Sequence, residues 1–450
     1  MTDIRNLPPV HRVLGGGIDL YAIETDRFKT ARLSMLMAER AGTEHSPLGT
    51  LLMGVLQRGC QGYPSLFALN RGLDYLYGTA LSLRNFLQGD LHVIGFTADM
   101  LDPVFLPECD RNLNILEGTL DIISRMWLHP LLDENDLFCE EIVESEKQNL
   151  CDCIEADRKD PRTYSLNRLR QMQCEGEPYG MSLAGTVEQV KRYTAADVTR
   201  EWNRRLREGS VGLFYVGSES PENVEKTWNQ FFADWCPSRA AMPATVPHAR
   251  PAQVRRADET LPVSQGRLNI SWQSDVATYD RRTVPGVYDA AMVFSELFGV
   301  MQGNMLFANL RERLGLCYEC DVIWESSKGL FTVSMGISPD CRDQAEQEVL
   351  RLMDNVQKGI LDEKLVTMAK LSLSNGYRQL QDSPGAMESF WARRLLWNQG
   401  GGETPEDCHA RLSLVTRQDV IRAARMLTLD TVYFLNGSER DDEGEVSVCP

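Results

Sequence analysis

The sequence predicts an α+β protein built from two homologous halves, and three observations carry that expectation. Strand patterns precede helix patterns within each half instead of alternating with them, which disfavours a βαβ winding. A proline-rich stretch, where Pro237, Pro243, Pro247 and Pro251 fall among Ala, Arg and polar residues, splits the 450-residue chain into parts of similar size. The two parts then echo each other in order and spacing.

In the first half, strand patterns lie at 17–23, 30–37, 79–86 and 91–96, and a long helical pattern at 134–156. A second helix opens at Tyr193-Thr194-Ala195-Ala196-Asp197 and leads to the strand Val211-Gly212-Leu213-Phe214-Tyr215-Val216 and then Gly217-Ser218. In the second half, strands are expected at 266–272, 317–324 and 329–335 and helices at 340–356 and 362–380. Val415-Thr416-Arg417-Gln418-Asp419 then opens a helix followed by Thr431-Val432-Tyr433-Phe434-Leu435-Asn436 and Gly437-Ser438, as in the first half. Thr194 and Thr416 are the expected N-caps, each with an Asp three residues on, at the positive end of the helix dipole. A further echo pairs Leu66-Phe67-Ala68-Leu69 with Leu306-Phe307-Ala308-Asn309-Leu310. The expected division is 1–236, a linker at 237–257, and 258–450.

Composition is that of an ordinary globular protein, with 43% hydrophobic and 25% charged residues. The 64 acidic and 47 basic residues give a net charge of −17, which disfavours nucleic acid and anionic lipid as partners and favours, if anything, basic segments. Acidity of this kind also simply keeps a protein soluble. The start Met1-Thr2-Asp3-Ile4-Arg5 lacks a basic-then-apolar signal, and no stretch reaches the roughly 18 apolar residues of a membrane span, so a cytoplasmic location is expected. Twelve scattered cysteines read as reduced thiols. Cys317 and Cys320 form a lone CxxC without a second pair at zinc-ribbon spacing, which does not make a metal site.

The six histidines, His11, His45, His92, His129, His248 and His409, include no two within one helical turn. A helical zinc site needs two ligands on one face, so none is encoded locally.

Four stretches, in order, resemble the insulinase/pitrilysin (inverzincin) zinc metallopeptidases. Ser46-Pro47-Leu48-Gly49-Thr50-Leu51-Leu52-Met53-Gly54-Val55-Leu56-Gln57-Arg58-Gly59 is similar to the helix that carries HxxEH in that family. Anchored on Arg58-Gly59, the motif falls on Thr50 to Gly54. Thr50 and Gly54 stand where the resemblance implies metal-binding histidines, and Met53 where it implies the general base. Glu146-Lys147-Gln148-Asn149-Leu150-Cys151-Asp152-Cys153 resembles the helix of the third ligand, with Cys153 at the ligand position and a buried small side chain as its expected role. Glu177-Pro178-Tyr179-Gly180 and Gly185-Thr186-Val187-Glu188 are similar to a family turn and helix start. Leu306-Phe307-Ala308-Asn309-Leu310-Arg311-Glu312-Arg313-Leu314-Gly315-Leu316-Cys317-Tyr318 resembles the segment whose arginine and tyrosine reach the peptide in catalytic members.

The resemblance spans about 17–438 and implies two α/β halves of the metallopeptidase (LuxS/processing-peptidase-like) type arranged as a clam shell. Among bacterial relatives, the look is that of degenerate insulinase-like proteins associated with modification of elongation factor P. It implies a chain without cofactor or metal, inactive alone, because Thr50, Met53, Gly54 and Cys153 cannot hold a dication or activate its water. Arg311 and Tyr318 are the expected peptide-binding residues: a guanidinium fork suits carbonyls or a carboxylate, and a phenol suits a developing oxyanion. Their plainer roles are a helix-surface ion pair for Arg311, with Glu312 or a neighbour, and sheet packing for Tyr318. The leading expectation is a partner subunit of an HxxEH-containing zinc peptidase that grips a peptide substrate. The alternative is a structural or regulatory scaffold, and a homodimer stays open. Thiol chemistry at Cys151 or Cys153 lacks a nearby histidine in sequence.

Overall fold

Thr194 and Thr416 both close capping boxes, each hydroxyl accepting from the backbone N–H of the Asp three residues on, whose carboxylate accepts from the Thr N–H in return. The helices they start, Ala195–Arg207 and Arg417–Arg425, feed directly into long strands, as the repeated pattern predicts. These features belong to a computed structural model that describes residues 8–239, 244–263, 265–274, 286–395 and 402–437.

The chain groups into two units. The first takes Met1–Ile154, Met181–Thr245 and Gly376–Cys408, and the second Glu155–Gly180, Val246–Asn375 and His409–Pro450. The helices Pro161–Gln173 and Pro384–Leu395 thus each belong to the unit opposite to the one that a single cut near residue 240 implies.

In the first unit, the strands are β1 (Val10–Val13), β2 (Asp19–Glu24), β3 (Thr30–Arg40), β4 (Ala80–Gln88), β5 (Leu91–Leu101), β6 (Glu208–Gly217) and β7 (Ser238–Arg239). They form one sheet in the order β1-β2-β6-β3-β5-β4, with β7 added to β6. Only β2–β6 and β6–β7 are parallel pairs. One face packs the main core, in which Leu33, Met35, Leu52, Trp127 and Trp228 are buried together. On the other face Ile23, Phe28, Phe214 and Val216 are covered by Met387, Phe390 and Trp391 of the late helix. Burial on both faces explains the nearly unbroken apolar runs of β3 and β6.

The second unit has β8 (Arg255–Leu261), β9 (Gly266–Ser274), β10 (Cys317–Glu325), β11 (Leu330–Ile337) and β12 (Leu427–Gly437), in the order β10-β11-β9-β12-β8. Here β8 and β12 pair in parallel, and the other described pairs are antiparallel. Starting from the parallel pair, β2-β6-β3-β5-β4 and β8-β12-β9-β11-β10 have the same chain order and the same sense at every step. That is the duplication seen in sequence, now at the level of topology.

Local differences have local causes. The helix expected from residue 134 starts at Glu140, because the Asp133 carboxylate accepts from the backbone N–H groups of Asn135 and Leu137 and holds a turn there. β8 begins inside the stretch expected as linker. It is an edge strand of alternating exposure whose Arg255-Arg256-Ala257-Asp258-Glu259 run lacks an apolar face, and charges of this kind guard an edge. Among the described residues, no helix is long and apolar enough to cross a membrane.

Candidate functional site

The helix His45–Leu56 presents Thr50, Met53 and Gly54 at the positions that HxxEH would occupy. The Thr50 hydroxyl lies 2.8 Å from the Leu183 carbonyl and 3.0 Å from that of Ser46, and accepts from Asn85 Nδ2 at 3.1 Å. Met53 is buried in the main core. At Gly54, a Cβ would stand 2.8 Å from Glu146 Oε2, and that carboxylate is ion-paired with Arg58. A side chain at position 54 would therefore have to displace Glu146. The donor set here is one engaged hydroxyl, one buried thioether and one carboxylate already neutralised by a guanidinium. It does not fit zinc.

Cys153, expected to be buried, is exposed. Val143, Lys147 and Cys151 form the buried stripe of the helix Glu140–Lys159, four residues apart, and Cys153 lies off it. Cys151 holds the interior thiol instead. Purified chain dialysed against zinc and then desalted is expected to carry clearly less than one equivalent by elemental mass spectrometry. A full equivalent that disappears in Glu146→Gln would show that a site survives beside Gly54.

Behind Thr50 runs a polar chain. Asn85 Oδ1 sits 2.7 Å from His92 Nε2, and His92 Nδ1 sits 3.4 Å from Arg205, which pairs with Glu201 at 2.7 Å and Glu39 at 2.6 Å. Burial and the neighbouring Arg205 charge drive the His92 pKa down to about 3, so the ring is neutral. A neutral ring serves both contacts with one tautomer, donating from Nε2 to Asn85 and accepting at Nδ1 from Arg205. Hydrogen bonding and packing thus engage the side chains at these positions.

In the second unit, Arg311 lies in the π-helical turn Phe307–Arg313, which closes with the Leu314 N–H donating to the Asn309 carbonyl at 3.1 Å. Such wide turns are rare and recur at functional sites. Arg311 is exposed, its guanidinium carbon 4.9 Å from the Phe307 ring centroid. Among the described residues it has no carboxylate partner. Tyr318 is 62% exposed on β10. There the register slips, Cys317 facing Ile337 and Glu319 facing Gly336, so that Tyr318 is the extra, bulged residue.

A cluster that sequence reasoning missed surrounds His248. Its Nδ1 is 2.6 Å from Glu177 and its Nε2 3.1 Å from Asp430, with Cys174 Sγ 3.9 Å from Nδ1. The Lys328 ammonium pairs with Glu177 at 2.7 Å, and the His248 N–H donates to the Lys328 carbonyl at 2.9 Å. Burial lowers the His248 pKa, but the hydrogen bonds to Asp430, Cys174 and Glu177 outweigh it and raise it to about 11. Burial likewise works against the Glu177 carboxylate, yet its bonds to His248 and Lys328 hold its pKa below the usual value. The ligand atoms of Cys174, Glu177 and His248 lie within 4.8 Å of one another, a spacing a metal could use. Here both imidazole nitrogens are already engaged with carboxylates, and an ammonium sits on Glu177, so the positive charge is supplied by the protein itself. The cluster works as a charged clamp that fastens the start of 246–257 to β12 and to the 174–177 turn. Partners 71 and 182 residues away leave no local signal in the sequence.

Comparison with known proteins agrees with this geometry. The family model described as "Peptidase M16 inactive domain" matches residues 192–373. A Bacillus subtilis (strain 168) protein named "Probable inactive metalloprotease YmfF" is 28% identical over 428 residues, covering 94% of this chain and 97% of that protein. In fold, the chain resembles a conserved protein from Enterococcus faecalis V583, with a TM-score of 0.85 and 24% identity over 97% of this chain and 100% of that one. It also resembles a peptidase M16 inactive domain from Pseudomonas fluorescens, with a TM-score of 0.77 and 16% identity over 96% and 99% of the two chains. The chain is thus similar, in sequence and in fold, to insulinase-like M16 metallopeptidase homologues, and the positions where HxxEH would stand are taken by Thr50, Met53 and Gly54.

Proposed function

We propose that this protein is the non-catalytic, peptide-holding partner of an HxxEH-containing zinc peptidase, working in the cytoplasm. The observation that carries this reading is the contrast between its two candidate regions. The metal positions are erased and filled, whereas Arg311 and Tyr318 keep their type and spacing and stand exposed on a π-helical turn and a strand bulge. Exposed, irregular backbone that carries an arginine and a phenol is suited to meet a ligand. The partner chain supplies the metal and the base, and this chain supplies the fork for a peptide carbonyl or carboxylate and a hydrogen bond for the oxyanion.

A native pull-down of the tagged chain from its own cells tests the reading. A stoichiometric partner that contains HxxEH, with zinc in the eluate, is the expected result. Recovery of the chain alone, as a homodimer, or with partners that include no peptidase would overturn it. The scaffold reading would then lead, favoured by the Glu146–Arg58 pair and the hydrogen-bonded Thr50, which make the former metal region a packed structural element.

A further inference from the structure

Cys317 and Cys320 are three residues apart on β10, and on a regular strand such residues face opposite sides of the sheet. The bulge at Tyr318 cancels that alternation. Exposure along 317–320 runs buried, exposed, exposed, buried, with Cys317 6% and Cys320 8% exposed, so both thiols turn to the same interior face. Each thiol bears on the ionisation of the other, and the positive charge of Arg311 bears on both. We propose that Cys317 and Cys320 are a redox-active dithiol, a site of reversible disulfide formation by oxidants of the hydroperoxide class.

The two thiols are not equivalent. Interaction with Cys320, with help from Arg311 and against burial, lowers the Cys317 pKa, and interaction with Cys317 together with burial raises that of Cys320. Cys317 is thus the thiolate-forming partner and Cys320 the proton-keeping one, the division needed between attacking and resolving thiols. At Cys60 burial is the largest influence and pushes the pKa up to about 11, opposite in direction to Cys317.

In the first step, the Cys317 thiolate attacks one peroxide oxygen. The O–O bond breaks, hydroxide leaves and takes up a proton to become water, and Cys317 becomes the sulfenic acid. Cys320 sulfur then attacks Cys317 sulfur, forming the S–S bond and releasing the sulfenic oxygen as a second water, which carries off the Cys320 proton. Two thiols and one peroxide give one disulfide and two waters. The sulfurs lose two electrons in total, and a dithiol reductant returns them by exchange.

A disulfide needs Cα atoms within about 7 Å, whereas three residues of extended strand span roughly 10 Å. The bulge supplies part of the shortening, and Tyr318 and Glu319 must take up the rest. Glu319 is tied to Arg162 and Arg267, so the displacement falls mainly on Tyr318. Oxidation here therefore moves Tyr318, whether or not that phenol meets a peptide.

Trypsin places both thiols in one peptide, residues 314–328, between Arg313 and Lys328. The full chain is reduced, treated with hydrogen peroxide, alkylated and digested. That peptide is expected to lose the mass of two hydrogens and to take no alkyl group, then to take two after dithiothreitol. In Cys320→Ser, a sulfenic-acid probe should label Cys317 and the mass loss should vanish. The wild-type measurement stands alone if that variant folds poorly. The proposal is overturned if 314–328 stays doubly alkylated when the exposed Cys109, Cys153 and Cys236 are already oxidised, or if Cys317 bonds to any cysteine other than Cys320.

Discussion

His248→Ala is expected to lower the unfolding free energy by about 3–5 kcal/mol, the range for removing one partner from a buried charged cluster. The loss comes less from the bonds removed than from what stays behind. Asp430, fully buried, and Glu177 would each keep a carboxylate without its imidazolium. Urea denaturation of wild type and variant measures the difference, and a change below about 1 kcal/mol would show that the clamp is not a clamp. The pH dependence gives a second check. The folded pKa of His248, about 11, exceeds the unfolded value near 6.5, so its contribution is complete below about 6.5 and is lost as pH rises through about 11. Wild-type stability should fall across that window more steeply than that of the alanine variant.

In a two-chain peptidase reconstituted with the proposed HxxEH partner, Tyr318→Phe is expected to lower kcat by about 100-fold with little change in KM, as when an oxyanion donor is removed. Arg311→Ala should act mainly on KM. Losing a charge-assisted hydrogen bond of about 1.5–3 kcal/mol corresponds to roughly 10- to 100-fold. Arg311→Lys should recover little of it, because an ammonium lacks the planar fork. Both side chains are exposed, so denaturation midpoints should barely move, which separates this result from misfolding. A fully active Arg311→Ala complex would remove the residue from the peptide-binding role.

What could be read from the sequence was what is local. The Thr194/Asp197 and Thr416/Asp419 boxes are signals within four residues, and they fixed the two helix–strand units whose repetition revealed the duplication. The family motifs placed the erased positions on two helices, Thr50, Met53 and Gly54 on one and Cys153 on the other, for the same reason. Cys153 came out on the wrong side because the expectation rested on a motif position, while the helical stripe through Val143, Lys147 and Cys151 sets which thiol is buried. β8 was hidden because an edge strand guarded by charges reads like a linker. The His248 clamp was invisible from the start, since its members come from four separated stretches, around 174–177, 248, 328 and 430, and no periodicity links them. Arg311 and Tyr318 were found by type and spacing, but the π-turn and the bulge that expose them are backbone irregularities with no compositional mark.

The late helix Pro384–Leu395 gives the order of synthesis a physical meaning. β2 and β6 are complete once residue 217 has been made, yet the apolar face carrying Ile23, Phe28, Phe214 and Val216 receives its cover only with Met387, Phe390 and Trp391. At about 5–20 residues per second, the ribosome takes roughly 9–35 s to cross that interval. During that time the growing chain displays an uncovered aromatic and aliphatic patch on an otherwise assembled sheet. The stretch that looked like a boundary between two independent halves is therefore a point at which the nascent first unit is unfinished and at its stickiest, and a chaperone would find its purchase on that face.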